Sequence, residues 1–389
     1  MFPRLENLLR ELDSQKSRIL VHAASMGEFE QARPVLRALR RQFPGHILIV
    51  SVFSPSAYEN VRNHPEADIV TYLPFDSLHA SRKFLNIIRP KALLFTRYDL
   101  WPNLIWEARR RKIHTVLFDA SLQETSMRHK PLIRQFNHTV FGALDMICAI
   151  SDAAAILLRQ SFYPSTPMHV TGDTRFDQAV YRAKEKQISE ILPGQMAKWQ
   201  QTVIAGSTWP EDEEIILPGF AKLKKTFHDA RLILVPHELS EAHLSGNENT
   251  CRQFELQCQR LSKVDEKKAT DVLIVDRMGV LANIYAAGQI AFVGGSFGPG
   301  VHSVIEAAAH AIPVLFGPRM QNSPEAVDMV DSGCGFVVKT SDKIFALCGK
   351  WFSDPNVLHN VSNISAQFVA NRIGASEKII ALIANQLRR

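Results

Sequence analysis

Glu28 closes the run HAASMGE, where an apolar stretch gives way to FEQARPVLRALRRQ, an amphipathic helical pattern that tolerates Pro34 in its first turns. A carboxylate at such a strand-to-helix turn has two readings. It can be a charge that suits the positive end of a helix, worth about 0.3 to 1 kcal/mol. It can equally be a general base placed to take a proton from an attacking hydroxyl. The helix terminus lowers its pKa and burial raises it, so the sequence leaves the balance open. A second group lies in FVGGSFGPGVHSVIEAAAHAIPVLFGP, Phe292 to Pro318, which reads as strand, glycine-rich loop, helix and strand. Gly294, Gly295, Gly298 and Gly300 are expected to let the backbone approach a ligand, a helix opening near His302 to offer N–H groups to an anion, and Glu306 to take ribose hydroxyls. The segment then reads as a nucleotide-sugar cradle, with a tight, ligand-free connection as the alternative. AGSTWPEDEE puts Ser207 and Thr208 at a strand end before a helix, where they can hold a phosphate or simply cap the helix. His237 also ends a strand, as a ligand contact or a solvated loop residue. Met278 and Gly279, in DRMGVLANIY, mark a junction whose backbone could read a nucleobase edge, unless Met278 packs in the core.

These groups need rigid strands to position them, and the chain supplies two series. RILVHAAS, HILIVSVFS, DIVTYLP, KALLFTR, HTVLFDAS, DMICAIS and MHVTGD alternate with helical patterns up to about residue 180. After a charged, helix-prone stretch from Tyr181 to Gln201 the pattern restarts with TVIAGST, RLILVPH, DVLIVD, QIAFVGGS, IPVLFGP and GFVVKT. Nearly continuous apolar strands separated by helices belong to parallel sheets covered on both faces. The expected fold class is therefore α/β, with two Rossmann-like doubly wound domains: residues 1–185 carrying Glu28, a linker over 186–201, and residues 202–389. Ligands of such sheets bind beyond the carboxyl ends of the strands, so the two domains are expected to face a common cleft. The terminal SEKIIALIANQLRR suits either a helix that returns to the first domain or one that caps the second sheet.

At 389 residues, 46% hydrophobic and 22% charged, the chain is an ordinary globular protein with room for two cores. A net charge of +6 suggests anionic ligands or a membrane surface, and no nucleic-acid signature accompanies it. Five scattered cysteines without Cys-x-x-Cys spacing argue against a disulfide framework or zinc site and suit a reducing cytoplasm. No stretch approaches a membrane span. There is no Asp-x-Asp triplet to hold a divalent ion on a diphosphate sugar, so no metal or other cofactor is expected.

Taken together, HAASMGE, DLWPNLIWEARRRKI, TGDTRFD, AGSTWPEDEE and GVHSVIEAAAHAIPVLFGP resemble the 3-deoxy-D-manno-octulosonic acid (Kdo) transferase family, in that order and across both halves. The resemblance implies the GT-B fold and an inverting, metal-independent transfer of Kdo from CMP-Kdo to a lipid A precursor, lipid IVA, in lipopolysaccharide biosynthesis. It assigns Glu28 as base and Arg175 as the cation facing charge in the transition state, with Arg97 in a third catalytic position. CMP falls to Ser207, Thr208, His237, Glu238, Met278, Gly279, Val280, Ser303, Val304, Ile305 and Glu306. The acceptor falls to Ser25, Gly27 and Trp101. The implied setting is cytoplasmic, peripheral on the inner membrane of a Gram-negative cell.

Some positions depart from the family pattern. Many members carry a glutamate where this chain has Arg97, followed by Asp99, and the usual Gly-Gly-His-Asn is here Gly300-Val301-His302-Ser303. The run Ser121 to Arg128 lacks an arginine often seen at its start. Members commonly carry an apolar anchor ahead of the first strand, which this sequence reaches by Arg18, so a truncation or a form held by surface contacts is expected. Basic clusters at Arg40–Arg41 and Arg109–Lys112 would then meet the membrane at about 1 kcal/mol per charge, unless they are solvated helix faces. The rival readings are a GT-B glycosyltransferase or epimerase using a UDP-sugar, and a non-catalytic relative that binds nucleotide or lipid A precursor.

Overall fold

The computed structural model describes residues 2–13, 15–97, 99–122, 131–162, 164–185 and 187–388. Two compact units divide the chain: residues 1–178 with 372–389, and residues 179–371. The division falls inside the helix Thr174–Glu185, ahead of the expected boundary at 185, and the last helix belongs to the first unit.

In the first unit, β1 (Arg18–His22), β2 (Ile47–Val52), β3 (Ile69–Tyr72), β4 (Ala92–Thr96), β5 (His114–Ala120), β6 (Met146–Ala149) and β7 (Met168–Val170) form one parallel sheet in the order β3-β2-β1-β4-β5-β6-β7. Alternation along each strand sorts its side chains onto two buried faces. Leu20, Leu93, Phe95 and Leu117 join one core, while Ile19, Val21, Leu94, Val116 and Phe118 join the other. The helix Met26–Gln42 covers the second face with Phe29, Val35, Leu36 and Leu39, and the terminal helix Ala375–Arg388 packs there through Ile379, Ile380, Ile383 and Leu387. Asp177 fixes the start of that last helix by accepting from Gly374 N at 2.6 Å and from Ser376 N and Oγ at 2.8 and 2.6 Å. Pro34 sits inside Met26–Gln42, which starts three residues earlier than the helical pattern suggests, so the proline falls past the first turns.

In the second unit, β8 (Thr202–Thr208), β9 (Arg231–Pro236), β10 (Cys258–Arg260), β11 (Val272–Ile274), β12 (Ile290–Val293), β13 (Val314–Phe316) and β14 (Gly335–Val337) repeat the plan in the order β10-β11-β9-β8-β12-β13-β14, again all parallel. The stretch expected as a linker over 186–201 holds turns of 3-10 helix at Ile188–Glu190 and Gly194–Lys198. Both sheets reverse direction of growth at one place, between β1 and β4 in the first and between β8 and β12 in the second. Such switch points open a crevice beyond the strand ends.

Three residues near these ends adopt left-handed backbone: Arg97 (φ 65°) after β4, Asp119 (φ 52°) in β5 and Ser207 (φ 53°) in β8. The β5–β6 register shifts between Leu117 and Ala120, and the β8–β9 register shifts between Gly206 and Thr208. An extra residue of this kind re-aims a side chain out of the strand's alternation.

Arg109, Arg110 and Arg111 of the one basic cluster, and both Arg40 and Arg41 of the other, are engaged within the fold. Glu107, 3% exposed, binds Arg82, Arg110 and Arg111; burial pushes its carboxyl up, and these three hydrogen-bonding cations hold it at about 2. Arg109 donates to Gly142 O, Arg40 pairs with Asp68 at 2.7 Å and Arg41 pairs with Glu377. Among the described residues, no helix is long and apolar enough to cross a membrane.

Candidate active site

The switch point of the first sheet holds Glu28 and Arg97. Ser25 caps the helix Met26–Gln42: Glu28 N donates to Ser25 Oγ at 3.4 Å, and Ser25 N donates back to Glu28 Oε2 at 3.1 Å. Glu28 is thus a capping-box residue as well as a candidate base, and the box fixes where its carboxylate lies. The side chain is 9% exposed. Burial raises its pKa, the charge of Asp99 adds to the rise, and backbone N–H groups of Ser25 and Ala24 and the charge of Arg97 oppose it without cancelling it. The balance left open by the sequence therefore falls on the side of burial. Next to Glu28, Gly27 is exposed, and a Cβ added there would meet nothing within 4 Å among the described residues.

Trp101, at the start of the helix Pro102–Arg110, stands edge-on to His22 with ring centroids 5.9 Å apart and leans on Phe53 at 4.8 Å. Phe53 in turn meets Phe75, which is 80% exposed, and Phe53 N donates to Ala24 O. An aromatic patch therefore borders the turn that carries Glu28. His22 Nδ1 lies 3.1 Å from Ser51 O, and burial lowers its pKa to about 4, so its Nδ1–H donates there. Its Nε2 and Trp101 Nε1 are buried with no hydrogen-bond partner among the described residues.

Arg175 joins this end of the sheet through its neighbours. Asp173 grips its guanidinium through Nε and Nη2, the latter at 2.5 Å. Thr174, fully buried, donates from N to Asp119 Oδ1 at 3.0 Å, and its hydroxyl lies between Asp119 Oδ2 and Gln31 O. Gln31 is one turn along the helix from Glu28. Burial first, and then the charge of Asp173, raise the Asp119 carboxyl to about 8. The run Ser121 to Arg128 lies outside the described residues beyond Leu122.

In the second unit, the loop ends of β8, β9, β11 and β12 carry the remaining candidates. Thr208 Oγ1 donates to Glu213 at 2.7 Å, and Glu213 also meets His243 Nε2 at 2.7 Å, so the Thr208 hydroxyl is turned into the protein. Ser207 beside it is half-buried. Trp209 stacks on His237 at 4.6 Å, and His237 stacks on His302 at 4.6 Å. Trp209 Nε1 donates to His302 Nε2 at 2.9 Å; burial and the charge of His237 lower the His302 pKa, in keeping with that accepting nitrogen.

Asp212 binds the glycine loop, accepting from Trp209 N at 2.9 Å, Gly295 N at 2.7 Å and Phe297 N at 3.4 Å. Three of the four loop glycines are needed by the protein's own packing, while a Cβ at Gly298 would meet only Gly295 O at 3.5 Å. A Cβ at Gly294 would strike Ser207 O at 2.3 Å, one at Gly295 would strike Gly300 O at 2.4 Å, and one at Gly300 would strike Asn322 at 2.6 Å. The expected helix near His302 starts at Ile305 and spans only Ile305–Ala308. The Val280, Val304 and Ile305 side chains are buried, so they could meet a ligand through backbone alone, whereas Ser303, His237 and Glu238 are exposed. Met278 is 74% exposed, which excludes the core-packing alternative, and Gly279 beside it has φ 76° with open space where a Cβ would sit. Glu306 pairs with Arg182 at 2.8 Å.

Residues 3–178 match the family model described as 3-deoxy-D-manno-octulosonic-acid transferase (kdotransferase). A 3-deoxy-D-manno-octulosonic acid transferase from Haemophilus influenzae is 26% identical over 378 residues, 95% of this chain and 87% of its own length. Another, from Aquifex aeolicus, is 28% identical over 336 residues, 86% of this chain and 85% of its own length. The chain is similar in sequence to this family. Its relatives are thus glycosyltransferases of the Kdo transferase group, and the likeness of sequence spans both units. A solved UDP-GlcNAc 2-epimerase from Neisseria meningitidis superposes with a TM-score of 0.68 at 16% identity, covering 95% of this chain and 100% of that one. That likeness shows the fold, two parallel-sheet α/β domains of the GT-B kind.

Asp119, Asp212, Trp209 and His302 were not among the sequence's candidates. Each left a trace. Asp119 is a lone charge ending the apolar strand HTVLFDA, and Asp212 stands three residues after Trp209, at capping-box spacing.

Proposed function

We propose that this protein moves Kdo from CMP-Kdo to a hydroxyl of a lipid A precursor with inversion at the anomeric carbon. Glu28 takes the acceptor's proton, the acceptor oxygen bonds to the anomeric carbon, and the bond from that carbon to the phosphate oxygen breaks with its electron pair leaving on CMP. A single displacement of this kind inverts the centre. The observation that carries the reading is a buried carboxylate with raised pKa, fixed by a capping box beside the unfilled surface of Gly27. A raised pKa brings the base closer to the working pH and strengthens it. Arg175 and Arg97 supply positive charge as the leaving phosphate develops its own.

The aromatic patch of Phe53, Phe75 and Trp101 suits an acceptor with acyl chains, since an exposed apolar cluster beside a polar turn marks a binding surface. In the second unit, Ser207, His237, Met278–Gly279 and Ser303–Glu306 are the groups we assign to CMP, and no metal takes part in the proposed step. The test is incubation with CMP-Kdo generated in place and lipid IVA, followed by mass spectrometry of the lipid. The expected product carries the mass of one or more Kdo units and disappears with Glu28→Gln. An unmodified lipid from a folded wild-type protein would refute the proposal.

A further inference from the structure

Thr174 has one hydroxyl proton and two acceptors to satisfy. Its Oγ1 lies 2.8 Å from Gln31 O, which can only accept, and it also touches Asp119 Oδ2. If the Thr174 hydroxyl donates to the carbonyl, the contact with Asp119 must run the other way, and a carboxyl oxygen donates only when it carries a proton. The other carboxyl oxygen, Oδ1, accepts from Thr174 N at 3.0 Å, which is the role left to the carbonyl oxygen of an acid. We propose that Asp119 is a neutral carboxylic acid in the working protein and acts as a positioning residue, its O–H locking Thr174, and with it Arg175, against the helix that presents Glu28.

The surroundings agree. Asp119 is 2% exposed, and among the described residues the charged or titratable groups facing it are Asp173 and Arg175 on the β7 side and Cys148 on β6. Asp173 holds Arg175 in a two-point ion pair, so the negative charge of Asp173 beside Asp119 offsets the pull of that arginine toward an Asp119 anion. The left-handed conformation at Asp119 and the register shift around it turn the side chain out of the strand and onto Thr174. A partial positive charge at the start of Thr174–Glu185 favours ionisation. Burial and the charge of Asp173 raise the pKa against the hydrogen bonds from Thr174 and the charge of Arg175. The inference deepens the transferase reading and rests on it for the meaning of Glu28 and Arg175, but the proton itself does not.

Two measurements separate the parts. Difference infrared spectroscopy of wild type against Asp119→Asn at pH 6 is expected to show the carbonyl stretch of a protonated carboxylic acid in the wild type, fading as the pH is taken above 9. Absence of that band at pH 6 overturns the proposal whatever the protein's activity. In transfer assays, Asp119→Ala is expected to lower kcat with little change in KM for the donor, while Asn, which presents one acceptor and one donor in the same places, restores most of the loss. Wild-type kcat should also fall at alkaline pH where that of the Asn variant holds. An Asn variant as impaired as Ala, or one with the wild-type alkaline limb, overturns the positioning role. A wild type that shows the infrared band but transfers no Kdo overturns both the positioning role and the transferase reading, and leaves the protonated acid standing.

Discussion

Replacing Gly27 with alanine separates what the fold needs from what the ligand needs. A Cβ there meets nothing within 4 Å among the described residues, and the position lies in the first turn of Met26–Gln42 without left-handed backbone. The protein itself therefore has no reason to prefer glycine. Alanine costs the unfolded chain freedom and suits a helix, which stabilises by about 0.4–1 kcal/mol. In a unit of this size that corresponds to a rise of roughly 1–4 °C in its melting temperature. If the acceptor lies against this turn, the same methyl group displaces it from Glu28. A loss of tenfold or more in kcat/KM for the lipid acceptor corresponds to about 1.4 kcal/mol of binding in the transition state. Scanning calorimetry and an initial-rate assay on one preparation measure both effects, with the KM for CMP-Kdo expected to stay where it was. A Gly27→Ala protein that is more stable and fully active would refute the placement of the acceptor. One that melts lower would refute the claim that the space is free.

Glu28→Gln keeps an oxygen for Ser25 N, so it should fold, while its kcat falls by about 100- to 10,000-fold. Because the base works ionised, wild-type kcat should decline as the pH drops through a value above the ordinary glutamate range, whereas folding responds with the opposite sign: a raised pKa means stability is lost as pH rises, and the Gln variant should gain on the wild type in melting temperature toward neutral pH. Asp212→Ala leaves three backbone N–H groups without their acceptor and should cost the second unit about 1–3 kcal/mol, with weaker CMP binding in calorimetric titration. Asp177→Ala removes the cap of the last helix and should cost about 1–2 kcal/mol, seen as a lower melting transition of the first unit with that of the second unchanged.

The strands were legible because they are buried on both faces and written as unbroken apolar runs. β10 escaped because Cys258-Gln259-Arg260 is a three-residue edge strand with no such run. Glu28 stood out because a strand-end carboxylate before a helix is visible in one dimension, yet its pKa was not, since that depends on burial and on Asp99, which lies on another loop. The glycine loop was legible as a tight structure, but the neighbours that crowd Gly294, Gly295 and Gly300 were not. Its crowding comes from Ser207, His302 and Asn322, neighbours that no local window reveals. The terminal helix offered an apolar face that fitted either domain, and only the complementary surface of Ile19, Val21 and Phe29 settles which one it covers.

That last arrangement sets a schedule for the ribosome. Residues 1–178 emerge first, but the helix that completes their core, with Ile379, Ile380, Ile383 and Leu387, is made only after all of residues 179–371. At roughly 5–20 residues per second the gap lasts on the order of ten to forty seconds. For that time the nascent amino-terminal sheet bears an uncovered greasy stripe, an inviting target for chaperones. Chains released early by a premature stop codon would keep it, and should be cleared by proteases or precipitate rather than persist as half-sized proteins.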